Sequence, residues 1–198
     1  LWPAHGTLWS HLVSDAGYEE LHALAAALTV ARRGFDLDHY DVPESLHARA
    51  VVLGAEPVDS RELVRRLHAS GLRVPTSERP AARPVRRRAY LIEHWQELGG
   101  SLGTTADGAW AHLGVNLLDR WNEPHRAYHD ERHLYDVLLA LDQLAVRGEQ
   151  IAPVTALAAW FHDAVYSGSS TDESDSALLA AAELGRFGLD ADVVEQVA

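Results

Sequence analysis

Tyr128-His129-Asp130-Glu131-Arg132-His133, read together with Phe161-His162-Asp163-Ala164, decides the reading of everything downstream of about residue 86. His133 opens an apolar-periodic run, Leu134, Val137, Leu138, Leu141 and Leu144, spaced for one face of a helix. Asp130 stands three residues before it, where an N-cap belongs, which places His133 in the first helical turn. His162 and Asp163 lie near the end of a second such run, Val154, Leu157, Ala158, Phe161 and Val165. A His-Asp doublet in an apolar helix is costly unless something pairs with it. A divalent metal is the expected partner, since imidazole nitrogens with a carboxylate oxygen suit such an ion and leave room for water.

Further residues extend the pattern outward. Trp121-Asn122-Glu123-Pro124-His125-Arg126-Ala127-Tyr128-His129 leads into Arg132-His133, and Trp160-Phe161-His162-Asp163-Ala164-Val165-Tyr166 follows about thirty residues on. Over roughly residues 86–198 these motifs resemble an uncharacterised bacterial branch of the HD-domain superfamily of metal-dependent phosphohydrolases. Tyr128-His129-x-x-x-His133-x-x-x-Val137 is also similar to a motif of the cyclic nucleotide phosphodiesterases of that superfamily. The resemblance implies an all-α HD-type bundle, here incomplete at its C-terminus, that hydrolyses a phosphoester with metal-activated water. It implies His133, His162 and Asp163 as metal ligands, with a fourth, an Asp, expected beyond Ala198. It implies His129 as the acid that protonates the leaving group and gives Asp163 a second, catalytic role in orienting the nucleophile. The two-metal branches carry a further His soon after the doublet. Tyr166 stands near that place and no His follows His162, so one tightly held metal is expected. Mn, Mg, Fe, Co and Ni are not distinguished by this ligand set. The alternative is a non-catalytic sensor, an HD module that holds metal and nucleotide beside an effector domain.

Several neighbours have two readings. Arg126 is placed to meet a substrate phosphate with its planar fork, or to pair with Glu123. His125 is a substrate-binding candidate, or it hydrogen-bonds the loop. Asp172 and Glu173 either bear on the metal through its ligands, or Thr171 and Asp172 cap a helix whose positive end Glu173 faces. The substrate class expected is a small phosphorylated molecule.

At 198 residues with 47% hydrophobic content, the chain has room for two domains and ample apolar material for their cores. The net charge of −12 argues against general nucleic-acid binding. No run of eighteen uncharged apolar residues predicts a membrane span. With no Cys there is neither a disulfide framework nor a thiolate metal site, and a cytoplasmic location is the default. There is no Met, even at residue 1, and both ends read as trimmed from a longer protein.

Residues 1–74 read as a small α/β domain. Trp2-Pro3-Ala4-His5-Gly6-Thr7-Leu8-Trp9-Ser10-His11 reads as an N-terminal loop that packs its indoles. Helices are expected after Ser14 or Asp15, from Pro43 to Gly54, and from the Asp59/Glu62 capping box through His68. Short strands are expected within Phe35–Asp41 and Leu72–Val74, with a first strand before Leu1. The motifs Trp2-Pro3-Ala4-His5-Gly6, Leu8-Trp9-Ser10-His11-Leu12, His39-Tyr40-Asp41 and Gly54-Ala55 resemble a small domain of unknown function, which assigns no activity. His5, His11, His39 and Asp41 form a candidate polar cluster, although each His alone reads more simply as a hydrogen-bonded surface residue.

Residues 75–85 read as a linker, since Pro75, Pro80 and Pro84 are expected to break any helix. Nine Arg and two acidic residues fall between Arg61 and Tyr90. A solvated basic strip is favoured over a docking strip for an anionic partner, because no aromatics interleave with it. Helices are then expected over 86–98 and from Thr104 or Thr105 to Trp121.

Overall fold

Trp2 and Trp9 face each other across two short strands, and this pairing makes the N-terminus a sheet where a loop was expected. The computed structural model describes residues 1–4, 6–104 and 108–198 and divides the chain into two units, Leu1–Pro84 and Val85–Ala198. His5 and Thr105, both named above, lie outside the described residues. Among the described residues there are three strands, nine α-helices and two short 3-10 helices.

In the first unit, β1 (Trp2–Ala4), β2 (Thr7–Leu12) and β3 (Tyr40–Pro43) form an antiparallel sheet in the order β1-β2-β3. Gly6 follows β1 at a φ of 76°, a conformation that side chains disfavour, and Trp9 Nε1 closes the hairpin by donating to the Ala4 carbonyl. No strand forms at Leu72–Val74, because its ladder groups are already used: the Leu72 carbonyl accepts from Tyr18 and the Val74 N–H donates to Asp38. Helices α1 (Tyr18–Ala27), α2 (Glu44–Val52) and α3 (Ser60–Ala69) complete the unit. Its core gathers Leu21, Ala25, Tyr40 and Val42. Asp59 caps α3 as expected, accepting from the N–H groups of Arg61 and Glu62. The Glu62 carboxylate turns to Arg65 and Arg66 rather than back to the cap. Pro43 sits one residue earlier than expected, at the N-cap of α2.

Asp38 is fully buried in this unit, and it is held there by charge and hydrogen bonds. Burial alone would raise its pKa. Its bonds to His39 and the Val74 N–H, and the charge of Arg73, outweigh that and hold the carboxyl below its ordinary value. The preceding Leu37 has a left-handed φ of 68°, a strained conformation for a branched apolar residue.

The expected linker is helical from Arg79 onward. Helix α4 runs Arg79–Ser101, and the boundary between the two units falls inside it. Pro80 lies in the first turn, where its missing N–H has no helical partner to lose. Pro84 costs one bond near the same end. The basic strip is not free solvent-facing charge: Arg79 meets Asp36 at 2.6 Å, Arg87 and Arg88 meet Glu131 at 3.2 and 2.9 Å, and Arg88 also meets Asp119 at 2.8 Å.

The second unit continues with α5 (Gly108–Trp121), α6 (Glu131–Val146), α7 (Pro153–Phe161), α8 (Asp172–Leu184) and α9 (Ala191–Val197). Its core joins Leu91, Trp95, Trp110, Leu117, Trp121, Leu134, Leu157 and Trp160 with further buried neighbours. The α4–α5 crossing is reciprocal. Trp95 Nε1 donates to the Trp110 carbonyl, and Trp110 Nε1 donates to the Trp95 carbonyl. The two indoles stack at 4.3 Å, nearly parallel. Each lies over a glycine of the other helix: a Cβ on Gly99 would come within 2.2 Å of the Trp110 ring, and one on Gly114 within 2.3 Å of Trp95. α4 was expected to end at Leu98, but it runs on through Gly99, where the Trp110 ring requires a glycine, to Ser101. Among the described residues no helix is long and apolar enough to cross a membrane.

Candidate metal centre

Asp130 does what its spacing predicts. Its side chain accepts from the N–H groups of Arg132 and His133, fixing the start of α6 and placing His133 in the first turn. Buried Glu131, in the same turn, is tied to Arg87 and Arg88 of α4. On the other side α7 ends at Phe161, so His162 is its C-cap and Asp163 lies just beyond the helix. Ser176 of α8 secures that exit, since its hydroxyl accepts from the Val165 N–H.

These elements bring the sequence-distant residues to one place. His129 Nδ1 donates to Asp163 Oδ2 at 2.6 Å, and His162 Nε2 lies 2.9 Å from the same oxygen. The His133 ring is 5.4 Å from that of His129 and 5.6 Å from that of His162, centre to centre. Donor atoms of His129, His133 and Asp163 all lie within 4.8 Å of one another. The tightest trio therefore includes His129, the expected proton donor, while His162 joins through Asp163.

The donor chemistry fits a cation. His162 Nδ1 lies 2.8 Å from the Ala159 carbonyl, which only accepts, so the proton of a neutral ring sits there. Its Nε2 then presents a lone pair to the Asp163 carboxylate. Two acceptors facing each other repel unless the ring is charged or a cation stands between them. His133 is held below its ordinary pKa, first by burial and then by the neighbouring His162 and His129, which keeps its ring neutral and free to ligate. Trp121 packs beside both ligand candidates, its ring 5.3 Å from His162 and 6.4 Å from His133.

Arg126 is not a phosphate clamp. Its side chain is fully buried and its donors go to the carbonyls of His129, Asp163 and Ala164 and to Glu123. Every one of these partners is protein, and three are backbone, so the guanidinium braces the two motifs against each other. His125 bonds the Tyr166 carbonyl through Nε2, the plainer of its two readings. Asp172 is not in the trio and gathers the N–H groups of Ser167, Gly168 and Ser169 and the Ser167 hydroxyl. Burial would raise its pKa, and these bonds lower it overall. Glu173 is exposed and is not part of the donor trio.

Two aromatic residues flank the site without having been singled out as candidates. Tyr128 is 68% exposed with its ring 5.1 Å from those of His129 and His133, and the Tyr166 ring lies 4.9 Å from His129. The signal available in the sequence was a tyrosine within the His125, His129, His133 series.

Comparison with known proteins bears on the first unit. No curated protein and no solved structure matches the chain. Residues 1–70 match the model of a family described as "Protein of unknown function (DUF4031)", in line with the resemblance of the N-terminal motifs to a small domain of unknown function.

Proposed function

We propose that the helical unit is a metal-dependent phosphohydrolase of HD type, acting on a small phosphoester. The observation that carries this reading is the convergence of His129, His133 and His162 on the Asp163 carboxylate, with a lone pair of His162 directed at that carboxylate. His133, His162 and Asp163 would hold the ion, whose bound form supplies an acidic water and draws charge from a phosphoryl oxygen. Arg126 holds the two motifs in register through the carbonyls of His129 and Asp163. His129 Nδ1 is anchored on Asp163 beside exposed Tyr128, which leaves Nε2 as the nitrogen that would pass a proton to a departing oxygen. The same position supports the enzyme over a metal-and-nucleotide sensor, which has no use for a proton donor.

Metal content and turnover together test the proposal. Elemental analysis of the parent chain is expected to show bound transition metal, with one equivalent per chain lost in Asp163→Ala. Phosphoester hydrolysis with the bound metal is expected in the parent. In His129→Gln the metal should stay while turnover falls by about 100-fold or more, the usual scale for removing a general acid. If Asp163→Ala keeps the parent's full metal content, the centre is not a metal site. Loss of metal in His129→Gln would make that residue a ligand and remove it as the acid.

A further inference from the structure

We propose that the sheet of the first unit carries a second metal site, built by His11, His39 and Asp41 for a divalent transition ion. The register of β2 on β3 sets His11 directly opposite Asp41. His11 Nδ1 lies 2.9 Å from Asp41 Oδ1, and His39 Nε2 lies 3.7 Å from the same oxygen. One donor atom from each residue falls within 4.8 Å of the other two. A tetrahedral ion with bonds near 2.1 Å separates its ligand atoms by about 3.4 Å, so the two spacings to Asp41 need about half an ångström or less, and rotation of the half-exposed His11 ring can close the third.

His39 is oriented as a ligand is. Its Nδ1 donates to the buried Asp38 carboxylate at 2.7 Å. Asp38 cannot give way, because Arg73 and the Val74 N–H hold its other oxygen at 2.9 and 2.8 Å. With the proton of a neutral ring on Nδ1, the Nε2 lone pair is left facing Asp41. A carboxylate that fixes the far nitrogen of an imidazole is the usual support of a metal-bound histidine. The arrangement uses residues of the first unit alone and again sets a histidine lone pair toward a carboxylate, here at 3.7 Å.

Two imidazoles with one carboxylate favour zinc, cobalt, nickel or similar ions over magnesium and calcium, which prefer oxygen. His11 and Asp41 are each about half exposed, so the outer coordination positions open to solvent. Three protein ligands with an open side are the mark of an ion that meets a substrate rather than one that only braces a fold. Trp2 walls one side, its ring 4.3 Å from that of His11.

Cobalt(II) titration of the full chain tests the site, read by visible d–d absorption and by equilibrium stoichiometry. The Asp163→Ala chain, with the helical centre disabled, is expected to bind one equivalent with the intense bands of a four- or five-coordinate ion. Adding His11→Ala or Asp41→Asn should weaken that binding by about tenfold or more, and His39→Ala should remove it. The first two changes lie at exposed positions, and circular dichroism checks that the fold is kept. The inference is overturned if the Asp163→Ala chain binds no cobalt. It is equally overturned if His11→Ala and Asp41→Asn leave stoichiometry and spectrum unchanged. The parent reports separately on the helical centre, binding two equivalents if both sites hold metal and one if only the sheet site does.

Discussion

At the scale of single residues, the centre in the second unit rests on side chains whose polar atoms are already committed. Arg126 is the clearest case. Its fork meets three backbone carbonyls from both motifs, and a lysine ammonium cannot reproduce that planar geometry. Arg126→Ala leaves those carbonyls short of donors in a buried place, and a loss of roughly 3 kcal/mol is expected in urea unfolding, with Arg126→Lys recovering little of it. His94 makes a different prediction. The Trp160 indole donates to its Nδ1, so the partly buried ring is favoured neutral, and desolvation lowers its pKa to about 4. As pH falls below about 6.5 the unfolded chain takes up this proton first, so acid favours unfolding. Stability should be flat above that value and drop by on the order of 3 kcal/mol on the way to pH 4. Urea titrations across this range check it, and in His94→Phe that part of the decline should vanish.

At the scale of elements, what was legible depended on how local its cause is. The Asp130 cap, the first-turn position of His133 and the Asp59 cap of α3 were readable, because a cap is decided within four residues. The convergence of His129, His133, His162 and Asp163 was expected only through a family resemblance, since spacing alone cannot say that two helix ends meet. The strands β1 and β2 were missed because Pro3 stands in one and Gly6 lies between them, and both residues read as loop. The first turns of α4 were missed because prolines argue against a helix locally, while the acidic partners of the neighbouring arginines are tens of residues away. For Arg126 the pairing with Glu123 was legible three residues away, but the carbonyls that claim the rest of its fork were not, because they belong largely to the other motif. The α4–α5 crossing yields a prediction of its own. In Gly114→Ala the new methyl meets the Trp95 ring, which is pinned by stacking and by its bond to Trp110. A cost of about 1–3 kcal/mol is expected, and circular dichroism in the aromatic region should show the indole pair disturbed.

At the scale of the whole molecule, the extent of the first unit matters more than the extent of the family match. The match ends at residue 70, whereas the unit runs to Pro84. The difference is chemical: buried Asp38 takes its partners Arg73, Val74 and Arg79 from the segment in between. A buried carboxylate stripped of these partners is strongly destabilising. A fragment of residues 1–84 is therefore expected to unfold cooperatively, while 1–70 should lack a cooperative transition, as thermal melts followed by circular dichroism will show.

The paired indoles over paired glycines also carry a consequence for how this chain can drift over generations. Neither helix of the α4–α5 pair is free to change alone, because enlarging Gly99 displaces Trp110, and enlarging Gly114 displaces Trp95. Shrinking a tryptophan opens a hole above the opposing glycine that a methyl there would partly refill. Substitutions at positions 95 and 114, and at 99 and 110, should therefore be inherited as compensating couples among descendants of this sequence, each large-for-small exchange answered across the helix boundary.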